Sequence, residues 1–177
     1  NNPRVNVSYH HSWTNEFYLL NTKKPPTDNL WFRRAIASSL DRNTLSTYIY
    51  KNTGVDSKGL IPQNIPLFLE PDSLIDFDLD AARRYLKRSG LEPNSVSLDL
   101  SYVSTYEAYR LTAFMLLDNL KKIGVRLDLK PGLWSTNWDK AKNLDTAPNI
   151  ISMAWWPTIS SPSDWFLSLY GTQESPL

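Results

Sequence analysis

Hydrophobic positions recur along this chain with two periods, one near 2 and one near 3.6, and the periods alternate. Glu16 to Asn21 is a compact apolar run with the character of a central strand. Val5, Val7 and Tyr9 alternate weakly ahead of it. Lys23-Lys24-Pro25-Pro26 must be extended or turning. Asp28 is placed to cap a helix over residues 29–40, with Leu30, Ala35 or Ile36, and Leu40 at helical spacing. Asp41 caps a second helix over 42–50, with Leu45, Tyr48 and Ile49 on one side. Residues 52–76 are rich in Pro and Gly and carry no period, which predicts a long irregular excursion of the kind that is often functional.

From Asp78 onward the pattern becomes regular. Asp78 opens a third helix whose apolar face is Leu79, Ala82, Tyr85 and Leu86, and Ser89-Gly90 ends it in a left-handed cap. Val96, Leu98, Leu100 and Tyr102 alternate with polar residues as a strand. Ser104 or Thr105 caps a long helix running to about Ile123, with Tyr109, Ala113, Leu116, Leu117 and Leu120 inward, and Gly124 stops it. Val125, Leu127 and Leu129 form the next strand, Pro131-Gly132 a turn, and Trp134 and Trp138 share one side of a short helix. Helix and strand therefore alternate, which predicts a layered α/β domain with a mostly parallel sheet.

The stretch from Ile150 to Leu169 is the organising segment. Its apolar start reads as a buried strand, and Pro157 ends the ladder because proline has no N–H to give. Thr158 to Pro162 is a loop, and Ser163 or Asp164 caps a short helix bearing Trp165, Phe166, Leu167 and Leu169. Successive strand residues face opposite ways, so one of Trp155 and Trp156 enters the core and the other faces a cleft. Ligands of open α/β sheets collect at that carboxyl edge.

Composition narrows the chemistry. In 177 residues there are 19 basic and 18 acidic side chains, so nothing drives the molecule toward nucleic acid. Cysteine is absent, which excludes disulfides, thiolate metal sites and cysteine nucleophiles. Many of the seven Trp and nine Tyr belong in a core, and a share this large also suits stacking against a ligand. His10-His11 lacks a third ligand, and Asp72, Asp76, Asp78 and Asp80 lack the glycine turn and final Glu of a calcium loop. No phosphate-cradling Gly loop, nucleophile elbow or facing carboxylate pair appears. No cofactor, no metal and no catalytic residue is expected.

Several segments in order resemble the solute-binding proteins of oligopeptide and dipeptide ABC importers, family 5. They are Phe17 to Pro26 followed by Asp28, Phe32-Arg33-Arg34-Ala35-Ile36, Leu40-Asp41-Arg42 and Gly59-Leu60-Ile61-Pro62. Asp80-Ala81-Ala82 with Leu86 and Ser89-Gly90-Leu91, then Leu120 to Val125, and Ala154-Trp155-Trp156 with Pro162 complete the set. The resemblance covers residues 16–170 and implies a periplasmic-binding-protein-like (type II) lobe, with a mixed, mostly parallel sheet flanked by helices. Residues 1–177 would then be a single α/β lobe, a fragment of a two-lobed protein that lacks its N-terminal lobe.

The implied role is to capture oligopeptides or oligosaccharides by lobe closure and pass them to ABC permease subunits. The implied setting is periplasmic or extracellular, with or without a membrane anchor. The alternative is a ligand-sensing domain of a transcriptional regulator or signalling receptor. The resemblance sets Trp134 at a ligand-facing position, and Trp155, Trp156 and Tyr106 are strand-end candidates beside it. Thr158 stands where peptide-binding members carry an aspartate for the ligand's α-amino group, and threonine cannot supply that charge. Either the ligand is not held by its amino terminus, or the loop is one residue longer and Asp164 substitutes.

Overall fold

The computed structural model describes residues 6, 8, 10, 12–159 and 161–170. The weak strand expected over Val5, Val7 and Tyr9 falls on residues outside that set, as does His11.

Four strands form one sheet: β1 (Asn15–Leu20), β2 (Val96–Val103), β3 (Val125–Gly132) and β4 (Ile150–Trp155), in the order β1-β4-β2-β3. β2 runs parallel to both β3 and β4, and β1 is antiparallel to β4. The mixed, mostly parallel sheet is thus as expected, and β4 lies inside it. β1, however, is an edge strand among the described residues rather than a central one. Its apolar content has another cause: Tyr18 and Leu20 pack against one cluster and Phe17 and Leu19 against a second, so both faces are covered while one edge is not.

The helices divide between those faces. On one face, α1 (Leu30–Ser38), α3 (Leu79–Arg88) and α4 (Glu107–Lys122) enclose a cluster that includes Phe32, Ile36, Leu86, Leu98, Leu100, Leu116, Leu120 and Ile150. On the other, α5 (Trp134–Ala141) and α6 (Pro162–Tyr170) meet Ile65, Met153, Trp165 and Leu169, with Trp138 and Trp155 pressed against them. Alternation along β4 sends Ile150 to the first cluster and Met153 to the second.

Local chemistry explains most boundaries. α1 is capped by Asn29, not Asp28: its Oδ1 accepts from the N–H groups of Trp31 and Phe32. The Asp28 N–H is instead used in the preceding turn, on the Lys24 carbonyl, a turn that contains a cis Pro25–Pro26 bond. Leu30 is half exposed, and Phe32 takes the inward place. Asp41 does cap α2 (Arg42–Thr44), but the chain then widens into a π turn over Leu45–Ile49, which leaves Tyr48 outside. Asp78 caps α3 with 2.8 and 2.9 Å bonds, and Gly90 follows its end with φ +75°. α4 starts after Tyr106 with no side-chain cap, so neither Ser104 nor Thr105 serves. α6 begins at Pro162, a position where proline's missing N–H costs nothing, so Ser163 and Asp164 lie inside it.

Pro131 and Gly132 belong to β3, paired with Tyr102 and Val103, instead of forming a turn. Proline is tolerated there because β3 is an edge strand in the described sheet. Gly132 is needed: a Cβ on it would lie 2.6 Å from the Asn137 amide oxygen, and Asn137 donates to the Tyr102 carbonyl at 2.9 Å. That contact fastens α5 to β2. Gly124 turns the chain from α4 into β3 with φ +78° and has Pro93 2.8 Å from where a Cβ would stand.

At the amino end of β4, Asn149 and Asp99 bond reciprocally: each backbone N–H reaches the other's side-chain oxygen, at 2.9 and 3.2 Å. Lys24 Nζ sits 3.1 Å from the same Asp99 carboxylate. Asn149 Nδ2 donates to the Pro25 carbonyl at 2.9 Å. This end of the sheet is thus closed by structural polar contacts, and the opposite end is left free.

Candidate functional site

The free end is built by β4 running out between its neighbours. Trp155 closes the strand, and its indole lies against the second cluster. Its Nε1 is buried with no hydrogen-bond acceptor among the described residues. Trp156 faces outward and is 65% exposed. Pro157 is buried, after which Thr158 stands exposed on the rim. The Thr158 N–H donates to Asp164 Oδ2 at 2.8 Å, so the first turn of α6 holds the loop and that carboxylate is engaged on backbone. Ile159, Phe166 and Leu167 are exposed beside it in sequence.

Trp134 opens α5 and stacks on Trp138, with centroids 5.4 Å apart and planes at 16°. Trp138 is pressed against the second cluster, so one Trp134 face is covered while the residue stays 38% exposed. Trp155 and the Trp134–Trp138 stack therefore share one side of the sheet. Tyr106 stands apart, exposed before α4, its ring 5.5 Å from that of Tyr109.

A cleft of about 970 Å³ opens on the other side of the same sheet end. Glu16 and Tyr18 of β1 and Ser152 of β4 form its floor, Tyr109 and Thr112 of α4 one wall, and Tyr50 with the 52–57 loop another. None of Trp134, Trp155, Trp156, Thr158 or Tyr106 lines it; Tyr106 touches it only through Tyr109. The irregular excursion is what walls it in. Asn15 Nδ2 reaches Ser57 Oγ at 3.0 Å and the Gly59 and Leu60 carbonyls at 2.9 and 2.6 Å. Arg42 Nε pairs with Asp56 at 2.8 Å and its Nη1 donates to the Ile75 carbonyl.

Sequence reading missed this cleft. Tyr109 was expected only as an apolar helix position, and Glu16 only as the start of a strand. One signal was available: Glu16, Tyr18 and Leu20 share a face, and a carboxylate there opposes the burial of its neighbours. Lost hydration pushes the Glu16 carboxyl above the ordinary glutamate range, while a short hydrogen bond from the Tyr50 hydroxyl opposes that. Burial is also the first cause that raises the phenols of Tyr18, Tyr50 and Tyr109, and the Glu16 charge adds to it in all three. Among the described residues no group of three or more His, Cys, Asp or Glu gathers as a metal ion would need, and no helix is long and apolar enough to cross a membrane.

The mixed sheet between helical layers has the fold of type II periplasmic binding proteins. The dipeptide-binding protein of Pseudoalteromonas sp. SM9913, solved with Met-Leu, superposes with a TM-score of 0.81 at 21% identity, over 91% of this chain and 32% of that one. HbpA2 from Haemophilus parasuis gives 0.86 at 19% identity, over 98% and 34%. Residues 1–176 match the family model for the middle part of the bacterial extracellular solute-binding proteins, family 5, and the chain belongs to that family. It is 25% identical to the dipeptide-binding protein of Escherichia coli K12 across 98% of its length, and 27% identical to the oligopeptide-binding protein OppA of Bacillus subtilis across 87%. It spans 31% and 29% of those two proteins.

Proposed function

We propose that this chain is the rim-bearing lobe of a periplasmic solute-binding protein that captures peptides and delivers them to an ABC permease. A second lobe of the same protein closes over the ligand. The observation that carries this is the placement of Trp156: 65% exposed at the carboxyl end of an interior strand, with Thr158 beside it. An exposed indole there presents a flat apolar face to a guest. Trp134, with one face covered by Trp138, is set for the same work. Peptides are favoured because the relatives that match are named for dipeptides, oligopeptides and peptide transport. Those relatives are binding proteins, which accords with a role without turnover.

The test is a thermal-shift panel on the full-length protein with Met-Leu, a longer peptide and a cello-oligosaccharide. A peptide shift is expected, lost at least tenfold in affinity in Trp156→Ala. Thr158→Asp should raise affinity for peptides with a free amino group about tenfold, the worth of one charge-assisted hydrogen bond. N-acetylated peptides should not share the gain. A shift with the oligosaccharide alone would overturn the peptide assignment.

A further inference from the structure

The cleft walled by Glu16 lies on the sheet face opposite Trp155, and the rim reading leaves it without an occupant. β1 and β4 pair Glu16 with Ala154 and Tyr18 with Ser152, so these four side chains share the face toward α4. Met153 points the other way, into the second cluster, while Phe17 packs on that cluster and also edges the cleft.

Three features make the cleft a receptor. First, Glu16 is a charge without a counter-charge. Its Oε2 takes the Tyr50 hydroxyl, and no Lys or Arg among the described residues pairs with it. The basic side chains that line the cleft are His10, Arg42 and Lys51; Arg42 is spent on Asp56, Asp76 and the Ile75 carbonyl, and among the described residues no ion pair joins His10 or Lys51 to Glu16. Second, Tyr18 Oη is buried and has no hydrogen-bond partner among the described residues. Third, three phenols, Tyr18, Tyr50 and Tyr109, line the cleft with the carboxylate, and π faces attract cations.

We infer that Glu16 with Tyr18, Tyr50 and Tyr109 forms a binding site for a primary alkylammonium group. An ammonium carries three donors and no acceptor, which matches a free carboxylate oxygen and a phenol oxygen in search of a donor. A neutral alcohol would leave the charge of Glu16 uncompensated, and a carboxylic acid would be repelled. A quaternary ammonium would satisfy the rings but give the carboxylate and Tyr18 no N–H. This assignment does not rest on peptide capture at the Trp156 rim, since no rim residue lines the cleft.

The experiment uses the full-length protein and titrates n-butylammonium, n-butanol and tetramethylammonium, reading amide shifts of Ser152, Tyr109 and Thr112 by NMR. Saturable shifts are expected with n-butylammonium and a response at least tenfold weaker with each of the others. Glu16→Gln should weaken n-butylammonium at least tenfold and Tyr18→Phe about threefold, while the remote Glu92→Gln leaves it unchanged. Spectra of each variant that overlay the parent away from the cleft establish that it has folded; should Glu16→Gln not fold, Tyr18→Phe carries the comparison. Equal response to n-butanol or tetramethylammonium, or no weakening in the folded variants, overturns the assignment. Loss of peptide capture in Trp156→Ala bears on the rim alone and leaves this outcome untouched.

Discussion

Glu16 shows at single-residue scale how a site is recognised by what it costs. Glu16 shares the face of Tyr18 but stands exposed at the cleft, where it loses part of its water and gains the Tyr50 hydroxyl. Its folded carboxyl therefore binds a proton more tightly than the unfolded one, whose ordinary value is 4.5. The folded state holds the extra proton, so this group's stabilising contribution is full below pH 4.5 and is lost as pH rises through the raised folded value. Glu16→Gln should accordingly be more stable than the parent at pH 7, with the gap closing toward pH 4. Urea denaturation at the two pH values checks this; a gap that does not change with pH counts against the burial argument. At Thr158 the lesson runs the other way. That Thr158 carries no charge was legible from residue identity, but the use of Asp164 as a backbone acceptor for that loop was not.

At the scale of elements, hydrophobic period located the α-helices and strands described from residue 15 onward, and capping chemistry was right at Asp41 and Asp78 but missed by a residue or two at α1 and α4. Asn29 and Asp28 are equally good caps by type, and residue identity alone does not say which of them starts the helix. Asn29→Ala should cost about 1 kcal/mol, the usual worth of an N-cap, and also release the bond from Asn29 Nδ2 to the Ser89 carbonyl that ties α1 to the end of α3. Thermal unfolding of that variant gives the measurement, and an unchanged midpoint would show that the cap is not in use. Pro131-Gly132 failed as a turn signal because both residues also suit an edge strand, and nothing local says that β3 lies at an edge. The π turn at Leu45–Ile49 likewise has no signature in the helical period.

For the whole molecule, the sheet divides two cores that are built from alternate residues of the same strands. Leu100 is fully buried on the interior strand β2, between β3 and β4. Leu100→Ala should lower stability by about 2–5 kcal/mol, the range for a leucine cavity in a packed core. Denaturant melts read by fluorescence and by circular dichroism should move together, because one sheet serves both clusters. Separate transitions would mean that the two layers fold as independent units.

The sequence by itself determined the element types, the alternation of helix and strand, the parallel bias of the sheet and the family. These follow from local periods and from short segments in fixed order, which need no knowledge of what each one touches. Only the tertiary structure decided that β4 inserts between β1 and β2, that β1 is an edge in the described sheet, and that Glu16, Tyr18, Tyr50 and Tyr109 meet around one cleft. Those four residues come from a strand, a loop and a helix up to 93 positions apart, from Glu16 to Tyr109. Strand order is set by which faces and edges remain to be covered once every layer is in place, and no stretch of chain carries that information alone.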